Sequence, residues 1–159
     1  MIENETVRKL QIEAEFVTDI TEIHQLLPEF ESYATSGAIV IRSFYGEEMT
    51  GLAIFLPLRA AGDPLKKQAV YLARLTAKEN NIAKALLREG LMCCWEAGYH
   101  VAFVLEEKAV YYDAGFQKIS HNFFYRRTNG FPVLAFELSW NGLEMISSDL
   151  LLPFQRQLV

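Results

Sequence analysis

The chain is 159 residues long, 51% apolar, and carries a formal net charge of −5. That length suits one domain, the apolar share is too high for a disordered chain, and an acidic balance with no basic block argues against a nucleic-acid partner. No apolar run reaches the roughly 18 residues of a membrane span, and the N-terminal MIENETVRKL lacks the apolar stretch of a signal peptide.

Met1 to Thr6 reads as a loose polar lead. Leu10, Ile12, Ala14 and Phe16 alternate with polar residues, which predicts a half-buried strand. Thr18-Asp19 offers a helix cap, and Ile20, Ile23, Leu26, Leu27 and Phe30 follow at helical spacing until Pro28 ends or kinks the run. His24 falls on this helix and reads as a surface residue.

After Gly37, the segment AIVIRSFY (Ala38 to Tyr45) is rich in β-branched and aromatic residues. Gly46-Glu47-Glu48 supplies a turn, and Thr50 to Leu58 forms the return strand of a hairpin. Glu47 and Glu48 therefore read as a solvated turn rather than a catalytic carboxylate pair. Pro57 predicts an interruption or bulge near the end of that strand. Ala60 to Lys67 is loop, and Gln68 to Leu75 is the next strand.

The helix that follows is the most amphipathic in the chain. Ile82, Ala85, Leu86, Gly90, Leu91 and Cys94 share a face, with Lys84, Arg88 and Glu89 elsewhere. Gly90 permits close approach to a sheet, and Gly98 marks the stop. Cys93 and Cys94 are the only cysteines. Neighbours on a helix point about 100° apart and cannot pair, so both read as small buried hydrophobes in a reducing, cytoplasmic setting. YHVAFVL (Tyr99 to Leu105) is a continuous apolar run, expected of a central strand covered on both faces. Strand, helix and strand make a βαβ unit. Glu106 to Ala114 is a short helix or turn, and Phe116 to Arg127 with Phe131 to Trp140 predicts a second hairpin across Asn129-Gly130. In the tail, 141–159, a leucine-rich segment from Leu150 to Phe154 is expected to pack on the domain or in a homodimer contact.

The order β-α-β-β-β-α-β-α-β-β predicts a single α+β domain with a mixed, largely antiparallel sheet flanked by helices. No Cys/His cluster has metal-ligand spacing, so no metal is expected. His100 and His121 flank strands and read as structural.

From Ile82 to Phe116 the chain reads IAKALLREGLMCCWEAGYHVAFVLEEKAVYYDAGF. The pattern ALL-x-x-x-L, then Gly-Tyr and a strand, then Val110-Tyr111-Tyr112-Asp113-Ala114-Gly115-Phe116 in the place of a Phe/Tyr-Tyr-x-x-x-Gly-Phe motif, resembles the GNAT superfamily of acyl-coenzyme A-dependent N-acyltransferases. The resemblance implies the GNAT fold, acetyl-CoA as cosubstrate, and direct attack by the amine of a small-molecule or peptide acceptor. It also implies a tyrosine that protonates the departing thiolate: by spacing to Gly115-Phe116 this is Tyr111, with Tyr112 the neighbouring alternative.

The family's pyrophosphate loop, Gln/Arg-x-x-Gly-x-Gly/Ala, is glycine-poor in this chain. The gapless register is Lys78-Glu79-Asn80-Asn81-Ile82-Ala83, with Asn81 at a glycine position that Asn tolerates next best. It implies a cofactor site formed by Leu75, Thr76, Lys78, Asn80, Asn81, Ile82, Ala83 and Lys84. A competing register reads Thr76-Ala77-Lys78-Glu79 as a capping box, which starts the helix a turn early and fills its N-terminus with protein groups. The sequence leaves both registers open. The strand before the loop carries Arg74 where relatives often have a glutamate, so no general base stands out. The missing glycines and glutamate keep a second reading alongside the enzyme, a catalytically inactive ligand-sensing or interaction module.

Overall fold

A computed structural model describes residues 9–28, 37–60, 68–119, 132–146 and 150–151. Strand β1 (Leu10–Val17) leads into helix α1 (Ile20–Leu26), then β2 (Ala38–Tyr45), β3 (Glu48–Ala60), β4 (Ala69–Ala77) and helix α2 (Asn80–Glu96). Strand β5 (Val101–Val104), α3 (Ala109–Ala114), β6 (Gln117–Lys118), β7 (Leu134–Glu137), α4 (Gly142–Met145) and β8 (Leu150–Leu151) complete it. The sheet order is β1-β2-β3-β4-β5-β7-β6, with β8 pairing to β3. β4 and β5 are its parallel pair; the other pairings are antiparallel.

Period-two alternation divides the core between the two faces. Val40, Ile54, Tyr71, Val101 and Phe103 pack with Ile23 and Leu27 near α1. Ile41, Phe55, Val70, Ala102 and Val104 pack with Ile82, Leu86 and Leu87 of α2 and with Tyr111 of α3. All four residues of β5 are buried, as its unbroken apolar sequence requires.

Two glycines set how deeply α2 sits. A Cβ on Gly90 would come within 2.3 Å of the Phe55 ring, and one on Gly51 within 2.6 Å of Leu86 Cδ1. Helix and strand therefore touch backbone to side chain at both places, which fixes where the N-terminus of α2 emerges above the sheet. Gly98 closes the helix with φ of 100°, while Gly98 and Tyr99 donate their amides to the carbonyls of Trp95 and Cys94.

Several expectations are corrected. Pro57 does not interrupt β3, which runs through it to Ala60; β2 has already ended, its last pair being Ile39 with Phe55 and Ala38 lying beyond. The irregularity lies instead between Ile54 and Phe55, where Arg74 and Leu72 are the partners and Ala73 is left over on β4. Phe16 is 61% exposed rather than half-buried, because β1 is an edge strand and its end lies over Gly37. Ile20 is exposed as well. β6 and β7 pair as foreseen, but β7 ends at Glu137, and the Asn129-Gly130 turn, Phe30 and His121 lie outside the described residues. Within the tail, Leu150 and Leu151 pair with Ala60 and Arg59 of β3; Leu152 to Phe154 lie outside the described residues. Among the described residues no helix is long and apolar enough to cross a membrane.

Candidate active site

The parallel pairing of β4 and β5 is short: Ala69, Val70 and Tyr71 match Val101, Ala102 and Phe103. Beyond Tyr71, β4 continues to Ala77 on β3, while its pairing with β5 stops and no other strand among the described residues takes that side. The leftover residue Ala73 explains the parting, since a bulge bends its strand and increases its twist. A cleft of about 180 Å³ opens there, lined on one side by Leu72, Ala73, Arg74 and Leu75 and on the other by Leu105 and Glu106.

Tyr111 closes the inner end of this cleft. It is 1% exposed, its ring packs edge-on to Phe116 at 5.7 Å, and its hydroxyl donates to Glu106 Oε2 at 3.3 Å. Burial first, and then the Glu106 carboxylate, push its phenol above the usual tyrosine range, so it is neutral and a proton donor at physiological pH. Tyr112 points the other way; it is 41% exposed and donates to Glu107 Oε2 at 2.5 Å. The geometry thus separates two adjacent tyrosines that spacing alone leaves interchangeable.

The cleft leads up β4 to the start of α2. Glu79 is the N-cap, with extended backbone and no side-chain hydrogen bond to the helix. The Thr76–Glu79 capping box is not formed. Thr76 is still in β4, paired with Leu52, and the amide of Lys78 donates to the Thr50 carbonyl at 3.0 Å. The hairpin thus extends the strand to the point where α2 begins.

The amides of Ile82 and Ala83 both donate to the Glu79 carbonyl at 3.1 Å, and the Ile82 side chain lies in the core. Those of Asn80 and Asn81 have no acceptor among the described residues. The left-handed tolerance of Asn81 is not used: among the described residues the non-glycine with positive φ is Asn141. Lys78, just past the end of β4, is paired with Glu48, the first residue of β3. Leu75 lines the cleft, whereas Lys84 lies one turn into α2 and lines a different cavity, beside Arg88.

The remaining candidates do not line the cleft. His24 is exposed on α1. His100 Nδ1 lies 2.9 Å from Ser139 Oγ, and its backbone joins Gln68 to Leu138. Cys94 is fully buried and Cys93 partly so, and burial raises both thiols, so neither is a ready thiolate. Among the described residues no cluster fit for a metal ion occurs.

No family model matches the chain, and no curated protein matches it. Solved structures do. A GNAT family N-acetyltransferase from Escherichia coli, YhbS, in complex with CoA, superposes with a TM-score of 0.68 over 95% of this chain and 92% of its own, at 22% identity. The chain has the GNAT fold. A GNAT family acetyltransferase from Brucella melitensis in complex with acetyl-CoA gives a TM-score of 0.57 at 16% identity, covering 91% of this chain and 96% of that one. The aminoglycoside 6'-N-acetyltransferase of Enterococcus faecium gives 0.52 at 12% identity, covering 76% of this chain and 80% of that one.

Within this GNAT fold, sequence reasoning missed Glu106. Its position five residues before Tyr111 is visible in the sequence, but its place on the cleft depends on β4 and β5 parting. Arg74, on the opposite wall, is half-buried.

Proposed function

We propose that this chain is an acyl-CoA-dependent N-acetyltransferase that moves an acetyl group from acetyl-CoA directly to the amine of a small molecule or peptide. One observation carries the reading: β4 runs on past the end of its pairing with β5 into two amides, those of Asn80 and Asn81, that lack acceptors among the described residues at the start of a 17-residue helix. Backbone donors at a helix N-terminus suit a diphosphate, and a strand edge facing a cleft suits the amide-bearing arm of the same molecule. The neighbours solved with CoA and acetyl-CoA support the choice of cosubstrate.

Acetyl-CoA, when bound, supplies an acyl group activated as a thioester. This chain's residues then have three tasks. Asn80 and Asn81 hold the diphosphate by main-chain hydrogen bonds, and Leu72 to Leu75 align the arm along β4. Glu106, exposed at the cleft rim, takes the proton from the attacking amine. Tyr111, neutral and within the cleft, gives its proton to the departing sulfur; turning from Glu106 to the sulfur is the motion this needs.

Calorimetric titration with acetyl-CoA tests the reading. Micromolar binding, with acetylation of an amine panel, is the expected result. No heat at millimolar ligand would leave a GNAT-fold module without catalysis.

A further inference from the structure

A second cavity, of about 490 Å³, lies between α2 and the end of α3 with β7, and among the described residues it shares no lining residue with the cleft. One wall is a single stripe of α2: Lys84, Arg88 and Met92 recur at every fourth residue, flanked by Leu91 and Trp95. The other wall includes Phe136, which is held in place by the Phe116 ring at 5.6 Å and by Gly115, where a Cβ would come within 2.9 Å of it.

Two features of this stripe work against the helix on its own. Met92 is 50% exposed and Trp95 54% exposed, large apolar surfaces at the mouth of a groove. Lys84 and Arg88 are like charges four residues apart, which is destabilising, and neither makes an ion pair among the described residues. A ligand with an acid group at one end and an apolar body at the other relieves both, and the volume is that of an ordinary small-molecule site. Asp113 on the facing wall sets a limit, because it disfavours a second negative charge.

We propose that this groove binds an organic monoanion with an aromatic or aliphatic body. Lys84 and Arg88 hold the acid group, and Trp95, Met92 and Phe136 hold the body. The site is separate from the cleft and does not rest on the acetyltransferase reading.

The test uses the full chain with Trp140→Phe as background, so that Trp95 is its remaining tryptophan. The probes are 8-anilinonaphthalene-1-sulfonate and its uncharged relative N-phenyl-1-naphthylamine, read by energy transfer from Trp95 and by probe titration. The sulfonate is expected to bind saturably at one site. Arg88→Glu should weaken it about tenfold and leave the uncharged probe within about twofold, the size expected for losing one charge-assisted contact. Trp95→Ala should weaken both probes, read by probe emission. Both residues are exposed, so an unchanged melting temperature verifies the fold of each variant. Saturating CoA should leave the sulfonate affinity unchanged. Absence of saturable binding, equal response of both probes to Arg88→Glu, indifference to Trp95→Ala, or displacement by CoA would each overturn the proposal.

Discussion

Helices α1 and α2 both follow a β-strand, yet their N-termini are finished differently. At α1, Asp19 accepts a hydrogen bond from the Thr21 amide at 2.9 Å, and Glu22 adds a carboxylate to the first turn. At α2 the N-cap side chain makes no capping hydrogen bond, the first turn holds no acid, and two amides have no acceptor among the described residues. The reason lies in length and seating. With seven residues α1 is too short to persist without local help, and its cap supplies that help. With 17 residues and six buried positions, α2 is held by its apolar face and Gly90, so its N-terminus is free of a structural duty.

Disturbing the seat of α2 should have the largest effect. Gly90→Val pushes two methyl groups into the Phe55 ring and puts a β-branched residue in the helix, so it should cost about 2–3 kcal/mol in urea unfolding. Tyr111→Phe should lower kcat roughly 10–100-fold with little change in the Kd for acetyl-CoA, because the lost hydroxyl acts on the leaving sulfur. Since the phenol is raised, the neutral donor persists to higher pH, and any fall in the wild-type rate from its ionisation should lie above the ordinary tyrosine range. An unchanged kcat would remove Tyr111 from the chemistry. Asp19→Ala should cost about 1 kcal/mol of stability and leave cofactor binding alone. Glu79→Ser should do the reverse. A serine at that N-cap can satisfy the Asn81 amide, raising stability by about 0.5–1 kcal/mol while weakening CoA several-fold. A gain in stability with unchanged CoA affinity would break the contrast between the two helix starts.

Much of this frame was legible from local chemistry. Asp19 as a cap, Gly46 at a hairpin, Gly90 as a close contact and Gly98 as a stop each state a backbone requirement in one residue. The start of α2 was not legible. Thr76-x-x-Glu79 is a good capping box by sequence, and it fails because Thr76 is paired to Leu52 and the Lys78 amide to Thr50, residues about 25 positions away in the chain. Glu106 escaped notice for the same kind of reason. Its place beside Tyr111 depends on β4 leaving β5 after Tyr71, and that depends on Ala73 being one residue too many for β3. Phe16 fits the alternation of a half-buried strand, but alternation does not say that β1 is an edge.

The most direct measurement is amide NMR of the 15N-labelled protein during titration with CoA. The backbone signals of Asn80 and Asn81 should show the largest shifts and saturate with the cleft residues Leu72 to Leu75. Binding that moves the cleft signals while those two amides stay still would contradict the account, as would no movement at all.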